Sequence, residues 1–175
     1  MDEIKVGLAG FGPAGSFFHA PLIAATPGLR LAAVVTRDPA KAELVRATGA
    51  DVVESAEQLW ERADLIVIAS PNRTHVPLAT AALNAGLPVV VDKPLAGTAA
   101  EAAGLIRLAR EKDLPLTVFQ NRRWDGDQLT LRRLLGEERL GLVLRYESRL
   151  ERWRPLADPG RWRDRLGAAQ GGGVL

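Results

Sequence analysis

A glycine-rich loop, Gly10-Phe11-Gly12-Pro13-Ala14-Gly15, lies directly after the apolar run Ile4 to Ala9, and it narrows the possible folds more than any other feature. A short apolar run that ends at glycine reads as a buried parallel strand. The loop then opens a helix over roughly Ala14 to Thr26, which Pro27-Gly28 stops. In such a strand–loop–helix unit Gly10 allows the tight turn, Gly12 lets backbone approach a pyrophosphate, and Gly15 permits close helix–strand packing. The helix N-terminus adds N–H groups and a positive dipole end. A glycine-rich turn can also bind nothing, so its surroundings decide the reading.

Those surroundings alternate. Leu31 to Val35 reads as a second strand, and Asp38-Pro39 as the cap and first position of a helix reaching Ala47. Val52-Val53 is a short third strand, and Ser55 caps a short helix to Trp60. Asp64 to Ala69 is the most apolar strand and belongs in mid-sheet. Thr74 to Asn84 is helical, Pro88 to Val91 a strand, Thr98 to Arg110 a helix, and Pro115 to Phe119 the sixth strand. Strands alternating with helices of about ten residues imply right-handed crossovers and a parallel sheet covered on both faces. Residues 1–120 are thus expected to form a Rossmann-type, doubly wound α/β domain that binds a dinucleotide.

The texture changes after Phe119. Asp127 to Leu135 reads as a helix, and Leu142 to Leu150 alternates in period two, as a strand with one wet face does. Trp153, Trp162 and Gly171-Gly172-Gly173 follow. Residues 121–175 are expected to begin a second, incomplete α/β domain. A strand there without its sheet neighbours invites pairing with another chain, so self-association (a homo-oligomer) or a disordered tail is expected.

Charge and composition remove several alternatives. Residues 121–175 carry 12 arginines against 8 acids, while residues 1–120 carry 11 basic and 13 acidic side chains. An arginine-rich tail raises nucleic acid as a partner. However, Arg145, Glu147, Arg149 and Glu151 alternate in sign, which fits an ion-paired, solvated face instead. With no cysteine there is no thiol nucleophile, disulfide or cysteine-bound metal, and no metal site is expected. The sequence holds neither an apolar run of spanning length nor a signal-peptide pattern, so no membrane partner and a cytoplasmic location are expected.

Three further signals sit at strand ends, where parallel sheets face their ligands. After the second strand, where an NAD-binding domain usually places a carboxylate for the ribose 2′-hydroxyl, stand Thr36 and Arg37. A hydroxyl and a guanidinium suit a 2′-phosphate, which favours NADP over NAD. The other reading has Arg37 solvated and Asp38 on the ribose, although a helix cap explains Asp38 better. After the central strand comes Ser70-Pro71-Asn72-Arg73-Thr74-His75, with His75 either near the ligand or a satisfied first-turn residue. After the fifth strand comes Asp92-Lys93-Pro94. A lysine there can exchange protons if partly desolvated, although a strand-end lysine is often plain surface.

These segments in this order resemble the Gfo/Idh/MocA family of NAD(P)-dependent oxidoreductases. The resemblance spans the chain through GFGPAG, FHAPLI, TRDPAKA, IASPNRTH, VVVDKPLA and VFQNRRWD leading into RYESRLERWRP. FHAPLI and NRRWD look like the subgroup of NADP-dependent scyllo-inositol dehydrogenases. The resemblance implies Pro71 and Asn72 beside the nicotinamide ribose, with Ser70 and His75 nearby. Lys93 corresponds to the lysine of the family's Glu-Lys-Pro motif, between nicotinamide and substrate. Asp92 stands in place of the usual Glu, one methylene shorter. The same resemblance implies that Asn121, Arg122, Arg123 and Trp124 border the nicotinamide at the passage to the second domain. His19 belongs to the subgroup pattern, and a packed helix histidine explains it equally well. Family members run to roughly twice this length, so the chain is expected to end before the family's catalytic Asp and His. The implied activity is hydride transfer between NADP(H) or NAD(H) and a small polyol or sugar substrate. The alternative is a dinucleotide-binding module without catalysis.

Overall fold

The computed structural model describes residues 3–151 together with Trp153, Pro155 and Leu156. Six parallel strands form a single sheet in the order β3-β2-β1-β4-β5-β6. They are β1 (Ile4–Ala9), β2 (Leu29–Val35), β3 (Asp51–Val53), β4 (Leu65–Ile68), β5 (Val89–Asp92) and β6 (Leu116–Phe119). The helices between them are α1 (Ala20–Ala25), α2 (Pro39–Ala47), α3 (Ala56–Trp60), α4 (His75–Asn84) and α5 (Ala99–Glu111), with α6 (Gly126–Gly136) after the sheet. This order is that of the dinucleotide-binding doubly wound fold, as expected.

Each face of the sheet has its own core. Leu59, Ala79, Ala82, Leu83, Leu105 and Ala109 from α3, α4 and α5 pack on Ile66, Ile68, Val89 and Val91. On the other face Ala20, Ile23 and Val45 from α1 and α2 pack on Val6, Leu8, Leu31, Val34 and Val67. Strands buried on both sides explain the near-continuous apolar runs, each fully buried aliphatic contributing about 1.5–3 kcal/mol. The mid-sheet position expected of the 64–69 run is β4, paired with β1 on one side and β5 on the other.

The caps vary. Asp38 accepts hydrogen bonds from the Ala40 and Lys41 N–H groups at 3.1 and 3.5 Å and starts α2 as expected. Thr98 and Glu101 form a reciprocal capping box on α5. Ser55 holds the cap position of α3 without a cap hydrogen bond, contrary to expectation. The Glu57 carboxyl is held below the usual range by its own backbone N–H and then by the Ser55 side chain.

The expected strand at 142–150 is absent. Residues 142–150 are irregular and exposed, and no described strand pairs with them. Period-two alternation supplies a face but no partner for the backbone, and β-propensity acts only where neighbouring strands exist. The expected ion pairing is present all the same: Arg145 meets Glu147 at 2.9 Å, and Arg149 pairs with the same carboxylate. Trp162 and Gly171 to Gly173 lie outside the described residues.

Candidate functional site

All six strands run the same way, so their carboxyl ends share one edge. The strand order reverses between β1 and β4, and the glycine loop and the Ser70 segment meet there. Gly10 has φ +108°, and a Cβ on it would lie 2.9 Å from the Ala69 carbonyl oxygen at the end of β4. A Cβ on Gly15 would come within 2.2 Å of the Gly10 carbonyl oxygen. Glycine is therefore obligatory at both ends of the loop. Gly12 differs: a Cβ there would meet nothing within 4 Å. Its outer side is open, the geometry that close backbone approach to a pyrophosphate needs. Phe11 buries its ring in the core, so it offers the loop only its backbone. The helix starts at Pro13 and Ala14, and both the N–H and the hydroxyl of Ser16 donate to the Gly12 carbonyl at 2.9 Å.

After β2 the Thr36 hydroxyl accepts from the Asp38 N–H at 3.3 Å. Arg37 is exposed, and its Nε donates to the Glu54 carbonyl at 3.4 Å. That bond leaves the terminal fork of the guanidinium without a carboxylate partner among the described residues. Asp38 is committed elsewhere. Besides its cap bonds it pairs with Lys41 at 3.3 Å, and that lysine, by side-chain hydrogen bond first, holds its carboxyl below the usual range.

The segment after β4 is tied to itself. Ser70 Oγ lies 2.6 Å from Thr74 Oγ1, and Thr74 Oγ1 donates to the Pro71 carbonyl at 2.7 Å. Ser70 is therefore the donor in the first contact, since the Thr74 hydrogen is engaged. Asn72 opens the 3₁₀ turn Asn72–Thr74. His75 is 1% exposed, with its imidazole Nδ1 at 2.8 Å from the Pro94 carbonyl and Nε2 at 2.9 Å from the Ser70 carbonyl. Its ring bridges the segment after β4 to the one after β5, as the reading of a buried, hydrogen-bonded first-turn residue expects.

At the end of β5 Asp92 is half-buried and its Oδ1 accepts the Lys93 N–H at 2.8 Å. Lys93 is exposed at the same sheet edge, in a cis peptide with Pro94. Arg123 and Trp124 lie in the 3₁₀ turn Asn121–Trp124 that follows β6, with Trp124 67% exposed and Arg122 paired to Asp125 at 3.0 Å. The sheet thus gathers the glycine loop, Thr36–Arg37, Ser70–Asn72, Asp92–Lys93 and the 121–124 turn along one edge. Thr74 was missed in the sequence reading, although a hydroxyl four residues after Ser70 in a Pro-containing turn was a usable signal. Among the described residues no group of three or more His, Cys, Asp or Glu side chains could hold a metal. No described helix is long and apolar enough to cross a membrane.

The sequence profile of the oxidoreductase family with the NAD-binding Rossmann fold, Gfo/Idh/MocA, matches residues 4–120. The chain belongs to this family. A relative from Escherichia coli K12, named as the uncharacterized oxidoreductase YdgJ, is 48% identical over 97% of this chain and 49% of its own length. The scyllo-inositol 2-dehydrogenase (NADP(+)) IolW of Bacillus subtilis is 35% identical over 98% of this chain and 48% of its own length. Among solved structures, an NAD-binding protein from Listeria innocua superposes with a TM-score of 0.88 at 32% identity, covering 98% of this chain and 50% of that one. The chain therefore spans about half the length of the Gfo/Idh/MocA relatives it matches.

Proposed function

We propose that this chain supplies the cofactor half of an oxidoreductase moving hydride between NADP(H) and a secondary alcohol of a cyclitol or sugar. The observation that carries the reading is the meeting, at one sheet edge, of an open glycine loop, a guanidinium whose terminal fork has no carboxylate partner among the described residues, and an exposed lysine. The open side of Gly12 and the N-terminus of the first helix fit a pyrophosphate. When bound, the nicotinamide carries the hydride chemistry. Ser70, Pro71 and Asn72 border its ribose, with Arg123 and Trp124 at the same edge. Lys93 moves the proton at the substrate oxygen through Nζ, and Asp92 fixes the lysine's backbone.

NADP is favoured over NAD because Asp38 is spent on the α2 cap while Arg37 keeps its fork open. A planar, bidentate donor matches a 2′-phosphate. The name of the Bacillus subtilis relative, an NADP(+)-dependent scyllo-inositol dehydrogenase, points the same way. The test is fluorescence titration of this chain with NADPH and NADH, repeated for Arg37→Ala. The expectation is tighter NADPH binding, with the preference falling about tenfold in the variant, a loss of about 1.4 kcal/mol. Equal affinity for both cofactors, or a ratio that Arg37→Ala leaves unchanged, overturns the NADP assignment.

A further inference from the structure

His19 has a buried nitrogen that the reading above does not use. Its side chain is 4% exposed, and Nε2 has no hydrogen-bond partner among the described residues. Leaving a buried polar atom unpaired is destabilising, so such an atom in a native fold calls for a reason. Local backbone geometry puts it there. Residues Gly15–His19 form a π turn, closed by the Ala20 N–H donating to the Gly15 carbonyl. The wider turn carries His19 round to the face of Gly15, and both are buried against the sheet. Single π turns inside helices are rare and recur at functional sites.

What the ring meets is equally specific. It lies on Phe119 of β6, with centroids 4.4 Å apart. Phe119 is the register partner of Asp92 on β5. Val90 packs with the α1–α2 core whereas Val89 and Val91 pack with the other, so the period of two sets Asp92 on the His19 side of the sheet. Asp92 is also the charged group that acts on the imidazole. Burial pushes His19 below the ordinary histidine value, and the Asp92 carboxylate pulls it partly back. Phe119 faces the ring from β6, and the helix from Gly15 to Ala25 carries no other titratable side chain. Asp92 spends Oδ1 on the Lys93 N–H, and Oδ2 has no hydrogen-bond partner among the described residues.

We propose that His19 is a positioning residue for the Asp92–Lys93 segment, its Nε2–H serving the free oxygen of Asp92 when that carboxylate turns toward it. The phosphate-loop helix and the strand end bearing the lysine are then fastened by a side-chain pair. Only the consequence for proton transfer rests on the reading of Lys93 given above. The pair itself is tested without cofactor or turnover.

The test is a pH titration followed by NMR on the full chain, reading the His19 ring and the ¹³C-dimethylated Lys93 amine. In the wild type the Lys93 signal is expected to show an inflection at the His19 midpoint. Asp92→Asn is expected to lower that midpoint and abolish the inflection. His19→Phe keeps the aromatic contact and loses the inflection, while His19→Gln, which retains an amide donor near the Nε2 position, keeps the wild-type Lys93 shift. A merely structural His19 would leave the Lys93 signal without an inflection at the His19 midpoint and unchanged by either His19 substitution. If His19→Phe does not fold, Asp92→Asn and His19→Gln decide alone. A His19 midpoint unmoved by Asp92→Asn, or a Lys93 signal without the inflection in the wild type, overturns the proposal. Failure of NADPH to bind would instead count against the cofactor reading.

Discussion

His75 Nδ1 lies 2.8 Å from the Pro94 carbonyl oxygen, while the other nitrogen of the same ring lies 2.9 Å from the Ser70 carbonyl. Two loops that follow different strands are therefore held by one buried side chain. His75→Leu keeps most of the volume and leaves both carbonyls facing an apolar group. The expected loss is about 1–3 kcal/mol in urea unfolding, on the scale of one buried carbonyl left without its donor. A loss under about 0.5 kcal/mol would show the bridge to be incidental.

The three loop glycines are expected to separate stability from binding. Gly15→Ala drives a Cβ to within 2.2 Å of the Gly10 carbonyl oxygen and should cost more than about 2 kcal/mol of folding free energy. Gly12→Ala meets nothing in the folded chain. It should melt within a few degrees of the wild type and yet bind NADPH about tenfold more weakly, because the methyl occupies the space the phosphates need. Thermal melts and fluorescence titration on both variants check the pair.

Asp38 and Arg37 are neighbours with different tasks. Asp38→Ala removes the α2 cap and its pairing with Lys41, so the melting temperature should fall. The NADPH:NADH affinity ratio should stay where it was, because the carboxylate serves the helix and not the ribose. A ratio shifted toward NADPH in Asp38→Ala would show that the carboxylate reaches the ribose after all.

Acid should weaken the fold through His19. Its folded-state value lies below the ordinary 6.5, with burial the first cause. The unfolded chain therefore takes up this proton first as pH falls. The contribution is intact above about 6.5 and is lost as pH drops through the folded-state value. Melting temperature should fall between about pH 7.5 and about pH 5, and by less in His19→Phe, which has no proton to take up. Equal acid sensitivity in the two proteins would place the effect at other groups.

Much of this was legible because it is periodic. The β1 bounds Ile4–Ala9 and the α2 bounds Pro39–Ala47 follow from apolar runs and from Asp38-Pro39, features that act within a few residues. The loop glycines were readable for the same reason. The 142–150 strand failed because alternation describes one strand, while a sheet needs a second strand at a distance that no local pattern encodes. His75 stayed undecided until Pro94, 19 residues away, supplied its partner. The π turn was hidden because one wider turn leaves no mark in Gly-Ser-Phe-Phe-His beyond an ordinary helix.

The place of β1 between β2 and β4 bears on the order in which the molecule assembles. The Lys5 N–H donates to Asp64, 59 residues away, and the Ala69 N–H closes on the Ala9 carbonyl. On a ribosome β1 can join β2 early, but its other edge stays open until β4 has emerged. The Gly10 turn, which leans on the Ala69 carbonyl, cannot close before then. Non-local parallel pairing of this kind is slow. Nucleotide capture by this chain should therefore mark a late stage of its folding, and a nascent chain stopped before Ala69 should fail to retain NADPH however well its glycine loop has been made.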